Sequence, residues 1–373
     1  MAVHTFAFPT TIHFGPGARK LVAAHLEKAG CRRPLVVTDG GIAALPVLAD
    51  FVATLAGLEA GVYSGVQGNP VAAQVRSGVD AYRAHRADAV VGFGGGAALD
   101  VAKVVALMAV HPGDVLEYAW DHPAVRPIEK PLPHFVALPT TAGTGSEVGR
   151  SSVISEDATH VKRIVFSPAL LAKAVFADPE LTLGLPSPIT AATGMDALTH
   201  NIESYLSSAY HPFCDGIALE GVRIAARALP LAVKQPANLQ ARSDMLMASM
   251  MGAIAFQKDL GAVHSCAHAL STVAGLHHGL ANGVMIDHVM RFNREAAEPK
   301  MAELARVAGV ADLVAWLTAL KAELGIPAKL GALGVKKDHL PRLAEIAYAD
   351  ICHQTNPRSC TKRDFETLFA GAL

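Results

Sequence analysis

Two pairs of residues spaced four positions apart could hold a metal ion. Asp196 and His200 form the first pair and His264 and His268 the second, each in a segment with helical periodicity. Because residues i and i+4 project from one face of a helix, each pair presents two donor groups side by side. His278 follows shortly after the second pair. A carboxylate and several imidazoles that converge between helices suit Fe²⁺, Zn²⁺, Mn²⁺ or Ni²⁺.

The surroundings of these pairs favour a metal site over the alternative, a solvent-exposed helix pair that arises by chance. The neighbours of Asp196 and of His264 are apolar or small. This pattern predicts burial, and a buried carboxylate needs a partner. The pattern alone leaves open which of the histidines are ligands.

A glycine-rich turn follows a β-branched run and could bind phosphate. The run ends in Gly94, Gly95 and Gly96, and a helical segment with Ala97 and Asp100 follows. Glycine lets backbone N–H groups approach an anion, and a helix N-terminus adds the positive end of its dipole. The string matches neither the GxGxxG fingerprint nor a GK[ST] loop. A plain strand-to-helix turn is therefore the alternative.

A second loop, 139–147, ends another predicted strand and carries threonine and serine hydroxyls with two glycines. Ligands of parallel sheets bind beyond the carboxyl ends of the strands, so two such loops predict a dinucleotide. Asp39 ends a third strand and could accept hydrogen bonds from ribose hydroxyls while repelling a 2′-phosphate. We therefore expect NAD(H) rather than NADP(H). A carboxylate in a surface turn is the alternative for Asp39.

The predicted secondary structure that must position these residues changes near residue 185. Before it, strands alternate with helices, which predicts a mainly parallel sheet covered by helices. The predicted strands include 34–41, 59–63, 87–96 and 134–141. After it the periodicity is helical, over 188–208, 213–235, 237–257, 261–275, 280–293, 297–308, 310–324 and 337–350. Ser187 is the expected N-cap of the first of these helices. We predict an α/β dinucleotide-binding domain over 1–185 and an all-α domain over 186–373.

Composition excludes several classes of protein. The 373 residues suit two domains, and a formal charge of −1 gives no reason to expect nucleic acid or an anionic membrane surface as a partner. The most apolar stretch, 101–110, is interrupted by Lys103 and is shorter than a bilayer span. Five scattered cysteines form no disulfide framework, and the N-terminus lacks an export pattern. We expect a cytoplasmic protein.

Several motifs occur in an order that resembles the iron-containing alcohol dehydrogenase family. They are FGPGA at 14–18, PTTAGTGSEV at 139–148, GMDALTHNIESY at 194–205, VHSCAHAL at 263–270 and HHGLANGVMIDHVMRFN at 277–293. The resemblance covers essentially the whole chain. It implies a fold like that of dehydroquinate synthase, with an N-terminal dinucleotide-binding domain and a C-terminal helical domain. It also implies a homodimer that acts on a small alcohol or aldehyde.

The resemblance also implies roles for individual residues. The metal ligands would be Asp196, His200, His264 and His278, with Fe²⁺ as the expected ion. The cofactor would be lined by Gly95, Gly96, Thr140, Thr141, Thr144, Gly145 and Lys162, and we also expect Ala97 and Asp100 to contact it. His268 would lie beside nicotinamide and substrate as a proton relay, and His277 would not be a ligand. Ala97 stands where the family usually has serine, so backbone donors must suffice there, and Gly149 stands where threonine is common.

Three residues are candidates for binding the substrate. Phe256 and Lys258 lie in a segment that borders the substrate in the family, and Arg150 is another nearby cation. A cation there would favour an aldehyde with a carboxylate, phosphonate or sulfonate, such as succinic semialdehyde. A solvated lysine at a helix start is the alternative for Lys258. A keto acid reductase like maleylacetate reductase is the second hypothesis, and a non-catalytic nucleotide- or metal-binding protein is a remote third.

Overall fold

The computed structural model describes residues 6, 8 and 10–373. They form two compact units. The unit that we call the α/β unit extends to Thr141 and resumes over Gly145–Thr182, and the helical unit contains Ala142–Thr144 and Leu183–Leu373. The domain boundary at residue 185 stays a prediction from the sequence.

The α/β unit is built on a sheet of six parallel strands. All strands of this unit, in chain order, are β1 Thr11–Phe14, β2 Pro34–Asp39, β3 Gly61–Val66, β4 Ala89–Gly94, β5 His134–Pro139, β6 Ser151–Ser155, β7 Lys162–Phe166 and β8 Ala174–Ala177. The sheet order is β1-β8-β5-β4-β2-β3, and β6 pairs with β7 as a separate antiparallel hairpin. The central strands β2, β4 and β5 are buried apolar runs, as expected for a sheet covered on both faces. The short, half-exposed β1 escaped the sequence analysis.

The helices of the α/β unit cover this sheet and connect its parallel strands. They are α1 Val22–Lys28, α2 Gly40–Ala43, α3 Pro46–Ala53, α4 Ala72–His85 and α5 Gly96–Val110. The neighbouring strands β2, β4 and β5 end at Asp39, Gly94 and Pro139, respectively. Because parallel strands share one carboxyl edge, the three loops singled out in the sequence lie at adjacent strand ends. The predicted parallel α/β architecture is confirmed.

The helical unit consists mostly of long helices around an apolar core. They are α6 Ser187–Leu206, α7 Pro212–Lys234, α8 Leu239–Ala255, α9 Ala262–Ala274, α10 His278–Ala308, α11 Leu313–Glu323, α12 Leu340–Ala349 and α13 Lys362–Ala372. The mostly helical C-terminal half was correctly predicted. Within the described part of the chain, no helix combines the length and the apolarity that crossing a membrane requires.

One local expectation for these helices was wrong, and another was met. Ser187 is not an N-cap: α6 already begins at Ser187, whose hydroxyl donates to the Val233 carbonyl. The two helices expected at 280–293 and 297–308 lie within α10, which a non-helical residue at Ala297 divides close to the expected break. Pro299 explains the kink, because proline has no N–H and its ring displaces the preceding turn.

A histidine pair in the α/β unit predicts a pH-dependent stability. His25 Nε2 on α1 lies 2.9 Å from His134 Nε2 on β5. Burial lowers the pKa of both imidazoles, and the charges of His13 and Lys28 lower that of His25 further, as His25 and Lys173 do for His134. Below about pH 6.5 these histidines therefore bind protons more readily in the unfolded chain than in the folded protein. The free energy of unfolding accordingly falls as the pH decreases. Above that pH this contribution is fully present.

The measurement is the thermal unfolding midpoint between about pH 5 and pH 8, for the wild type and for His134→Gln. We expect the wild type to lose more stability than the variant as the medium is acidified. Equal pH dependence of the two proteins would contradict a role of this pair.

Candidate metal and cofactor sites

Three helices of the helical unit bring the four expected metal ligands together. Asp196 and His200 lie on one face of α6, His264 in the first turn of α9 and His278 at the start of α10. Asp196 Oδ1 is 3.5 Å from His278 Nε2 and 3.8 Å from His264 Nε2. The His200 and His264 rings stack with centroids 4.5 Å apart. Donor atoms of Asp196, His200 and His264 all lie within 4.8 Å of one another.

The chemistry of this donor set fits a divalent transition-metal ion. Asp196, His200 and His264 are each no more than 3% exposed. Burial lowers the pKa of His200 to about 4, so its imidazole is neutral and can offer a lone pair at physiological pH. One carboxylate and three imidazoles that meet in a buried site match the preferences of Fe²⁺ and Zn²⁺. A buried anion without a cation nearby would be unfavourable.

Glu203 is a functional candidate that the sequence analysis missed. It lies on α6 and is 1% exposed, and its Oε2 is 2.6 Å from His264 Nδ1. Its carboxylate also accepts the backbone N–H groups of Val263 at 2.7 Å and of His264 at 3.3 Å. Since a carboxylate only accepts, His264 Nδ1 must carry the proton, and its Nε2 keeps the lone pair that a ligand needs. The sequence did contain a signal for Glu203, because it lies seven residues after Asp196 and therefore on the same helix face.

His268 has a carboxylate partner from a distant part of the chain. Its Nδ1 is 2.7 Å from Asp350 Oδ2, and its ring stacks on His278 with centroids 5.2 Å apart. Asp350 Oδ1 also accepts the Ser265 hydroxyl and the Cys352 N–H, both at 2.8 Å. Although burial opposes it, the His268 charge and these hydrogen bonds hold the pKa of Asp350 well below its usual range. Asp350 therefore stays a carboxylate and fixes the His268 ring.

The residues considered for substrate binding have different surroundings. The Phe256 ring is 5.3 Å from the His200 ring. Lys258 is 2% exposed, pairs with Asp215 and donates to the Tyr205 carbonyl at 3.1 Å. It is therefore not the solvated lysine considered as an alternative, and its charge is already compensated within the protein. A substrate anion would have to compete with Asp215 for this cation, and the role of Lys258 in substrate binding stays a prediction.

Arg150 lies in the α/β unit and is partly exposed. Its guanidinium stands 5.6 Å from the centre of the Phe166 ring. The expected contact of Arg150 with an anionic substrate group stays a prediction from the sequence.

The glycine turn after β4 has the features of an anion site. Gly95 caps α5, and the first helical hydrogen bond runs from Leu99 N–H to the Gly95 carbonyl. The N–H groups of Gly96 and Ala97 therefore lie at a helix N-terminus, where no acidic residue is present in the first turn. Gly94 has φ of +154°, and a Cβ there would come within 2.7 Å of the Ala98 Cβ. Glycine is needed at this position for both reasons.

Asp39 and Thr141 lie on either side of this turn. The Asp39 Oδ1 accepts the Ile42 N–H at 2.9 Å and so caps α2, while Oδ2 faces Gly94. The Thr141 side chain is close enough to Gly95 that an added Cβ would lie 3.3 Å away. The Thr140 N–H donates to the Gly94 carbonyl at 3.0 Å, and this bond fixes the start of the second loop beside the turn.

Asp100, expected to contact the cofactor, lies in a hydrogen-bond network of the protein. It is buried and accepts the Ser146 hydroxyl and the Val153 N–H, the latter at 2.9 Å. Lys103 completes the network, with its Nζ 2.8 Å from Ser146 Oγ and 2.7 Å from the Ser151 carbonyl. Asp100 thus fastens α5 to the second loop, and its contact with the cofactor stays a prediction.

The remaining expected cofactor residues are placed as follows. Gly145, with φ of +63°, is the turn residue before Ser146. Thr144 belongs to the helical unit by its contacts. Lys162 begins β7 opposite Ser155. Their roles in binding a dinucleotide stay predictions.

Both halves of the chain match models of known protein families. The model described as "Iron-containing alcohol dehydrogenase" matches residues 9–179, and the one described as "Fe-containing alcohol dehydrogenase family, C-terminal" matches residues 190–373. The chain is 39% identical to a 4-hydroxybutyrate dehydrogenase of Cupriavidus necator over 98% of each chain. A solved 1,3-propanediol oxidoreductase is 36% identical, with a TM-score of 0.94 over all of both chains. A sulfoacetaldehyde reductase from Bifidobacterium kashiwanohense, solved with NAD⁺, is 28% identical, with a TM-score of 0.90 over 100% of this chain and 99% of that one.

Proposed function

The chain belongs to the iron-containing alcohol dehydrogenase family, and we propose that it is an NAD(H)-dependent enzyme that uses a divalent metal ion to interconvert a short alcohol and its aldehyde. The proposed ligands are Asp196, His200, His264 and His278. The observation that carries the proposal is the convergence of this carboxylate and these imidazoles in a buried site. Fe²⁺ is the proposed ion, with Zn²⁺, Mn²⁺ and Ni²⁺ as alternatives.

Each part of the proposed site contributes to the reaction in a different way. When bound, the metal ion supplies Lewis acidity and NAD(H) supplies the hydride chemistry. Glu203 keeps His264 in the tautomer whose Nε2 can bind a metal. Asp350 holds Nδ1 of His268, which leaves Nε2 of that ring to exchange a proton with the substrate hydroxyl.

The cofactor side of the proposal rests on the turn after β4. The N–H groups of Gly96 and Ala97, at the N-terminus of α5, are the proposed donors to the pyrophosphate. The carboxylate of Asp39 faces Gly94 and is the proposed partner of the adenosine ribose. This arrangement supports NAD(H) over NADP(H), because a 2′-phosphate would be repelled by the carboxylate.

The variant Asp39→Ser tests the cofactor preference. Serine can still cap α2 through its hydroxyl, so the variant removes the negative charge and keeps the cap. We expect the ratio of kcat/KM for NADH to that for NADPH to fall about tenfold or more, which corresponds to roughly 1.4 kcal/mol. A ratio that does not change in the variant, or a wild type that uses both cofactors equally, would contradict the role of Asp39.

The proposed substrate class is a short alcohol or aldehyde that carries an anionic group, such as 4-hydroxybutyrate and succinic semialdehyde. Two of the similar proteins are named for substrates with an acidic group, a 4-hydroxybutyrate dehydrogenase and a sulfoacetaldehyde reductase. Within this chain, the partly exposed Arg150 is the cation that we propose to contact the anionic group.

The decisive experiment compares succinic semialdehyde with butyraldehyde. The protein is purified without oxygen, loaded with Fe²⁺ and assayed by NADH oxidation. Preference for the charged aldehyde, reduced in Arg150→Gln, supports the whole proposal. Preference for butyraldehyde retains the dehydrogenase and rejects the anionic substrate. Turnover of maleylacetate alone would favour the second hypothesis, a keto acid reductase, and NADH binding without any turnover would favour a non-catalytic protein.

We also propose that the protein is a homodimer, as the family resemblance implies. Light scattering after size-exclusion chromatography distinguishes a dimer from the 38.9 kDa monomer.

A further inference from the structure

The side-chain amide of Asn282 lies where the proposed metal ligands converge. Its Nδ2 is 2.7 Å from Asp196 Oδ1, 3.3 Å from His264 Nε2 and 3.3 Å from His278 Nε2. The residue is 0% exposed. The sequence analysis did not single it out, although it follows His278 by one helical turn and therefore shares its face of α10.

We propose that Asn282 is a positioning residue that orients the Asp196 carboxylate for a metal ion; this inference rests on the proposed metal-dependent function. The Asn282 Nδ2 donates to Asp196 Oδ1 at 2.7 Å. A carboxylate oxygen has two lone pairs, so Oδ1 can accept this N–H and still offer a lone pair to an ion, whereas an imidazole Nε2 has a single lone pair and cannot do both. The carboxylate is thus preorganised rather than oriented by the ion.

The orientation of the amide follows from the hydrogen bonds around it. Glu203 fixes the proton of His264 on Nδ1, so Nε2 of His264 is an acceptor. The opposite amide orientation would place the Asn282 carbonyl oxygen against this acceptor and against the Asp196 carboxylate. The donor half of the amide must therefore face the ligands.

The donor half of the amide distinguishes Asn282 from the other buried asparagine of this unit. Among the residues that the structure describes, Oδ1 is buried without a hydrogen-bond partner in both Asn282 and Asn201, so this atom does not separate them. The Nδ2 of Asn201 donates to backbone carbonyls, whereas that of Asn282 donates to the carboxylate of a proposed metal ligand. This bond supplies the reason for asparagine at position 282.

The backbone of α10 is adapted to bring Asn282 this close. At Gly279 an added Cβ would lie 2.3 Å from the Ala192 carbonyl oxygen and 3.1 Å from the Asp196 Cβ. At Gly283 it would lie 3.3 Å from the Met195 Cβ. Glycines on both sides of Asn282 thus allow α10 to approach α6 until the amide reaches the carboxylate.

The test uses two variants of the full-length protein and Co²⁺ as the probe ion. Asn282→Leu keeps the approximate volume and removes both polar groups, and Asn282→Asp keeps the size but only accepts. Co²⁺ affinity is measured by competition with a chromophoric chelator, and the geometry of the site by the visible absorption of bound Co²⁺. Thermal unfolding is followed with and without the ion.

For Asn282→Leu we expect about 10- to 100-fold weaker Co²⁺ binding and an altered visible spectrum. Asn282→Asp places a second carboxylate against Asp196. It should unfold at a lower temperature than the wild type without Co²⁺, and its midpoint should rise more when Co²⁺ is added. Unchanged Co²⁺ affinity and spectrum in Asn282→Leu would overturn the inference. If that variant does not fold, the Co²⁺-dependent midpoints of Asn282→Asp decide, and a rise equal to that of the wild type would overturn it.

Asn201→Ala is the matched control. Asn201 is also a buried asparagine of this unit, but its Nδ2 donates to the Ala197 and Ala248 carbonyls at 2.8 and 2.9 Å. Its replacement should lower stability without changing Co²⁺ affinity. A wild type that binds no divalent ion would instead refute the proposed function, so the two failures are distinguishable.

Discussion

Replacement of His268 by alanine is expected to lower kcat by about 10²- to 10⁴-fold, the usual contribution of a positioned acid or base. Bound metal should stay at the level of the wild type, because His268 is not one of the four proposed ligands. Its Nδ1 is engaged by Asp350, so Nε2 is the atom available for proton exchange. The measurements are steady-state kinetics and elemental analysis of metal content on the same preparation.

Asp350→Asn provides a graded comparison for this prediction. Asparagine can still accept the proton of His268 Nδ1 through its carbonyl, but it no longer carries the negative charge that favours this tautomer. We expect a smaller loss of kcat than in His268→Ala, with unchanged metal content. Loss of the metal in His268→Ala would contradict the relay and would make His268 a ligand or a structural residue.

Replacement of Glu203 by glutamine is expected to weaken metal binding by about 10- to 100-fold. The carboxylate accepts the N–H groups of Val263 and His264 together with the proton on His264 Nδ1. Glutamine has one acceptor oxygen, so its NH₂ group must face one of these donors. If it faces the imidazole, Nδ1 becomes the acceptor and the proton moves to Nε2, the atom that should bind the ion.

The readouts for Glu203→Gln are the dissociation constant for Fe²⁺ or Co²⁺ and the residual activity at saturating metal. Activity that recovers at high metal concentration is expected, because the four ligands themselves are intact. Wild-type affinity would contradict the role of Glu203 in setting the His264 tautomer. Because Glu203 also accepts an N–H of the first turn of α9, we expect the variant to have a lower thermal midpoint. Measuring the midpoint beside the metal affinity separates a general loss of stability from a specific loss of metal binding.

The sequence predicted the parts of the site that are close together along the chain. Asp196 and His200 are one helical turn apart, so periodicity alone places them on one face. Glu203 lies two turns from Asp196 and could have been found in the same way. Asp350 could not, because 82 residues separate it from His268 and no local pattern joins them.

The same distinction applies to the fold. Buried apolar runs predicted the central strands β2, β4 and β5, of which β2 ends in aspartate and β4 in glycine. The start of α6 was misjudged because the serine hydroxyl finds its partner in α7, at the Val233 carbonyl. Such tertiary hydrogen bonds override local capping preferences, and a single sequence does not reveal them.

The burial of Lys258 has a consequence for attempts to alter this enzyme. Its ammonium group joins Asp215 to the last turn of α6, the helix that carries Asp196 and His200. A library that varied position 258 to change substrate range would therefore also remove the ion pair with Asp215 and leave Lys300, which donates to the same Tyr205 carbonyl at 2.8 Å, as the neighbouring cation. Positions 258 and 215 should be varied together, because they form one ion pair beside the helix that carries two of the proposed ligands.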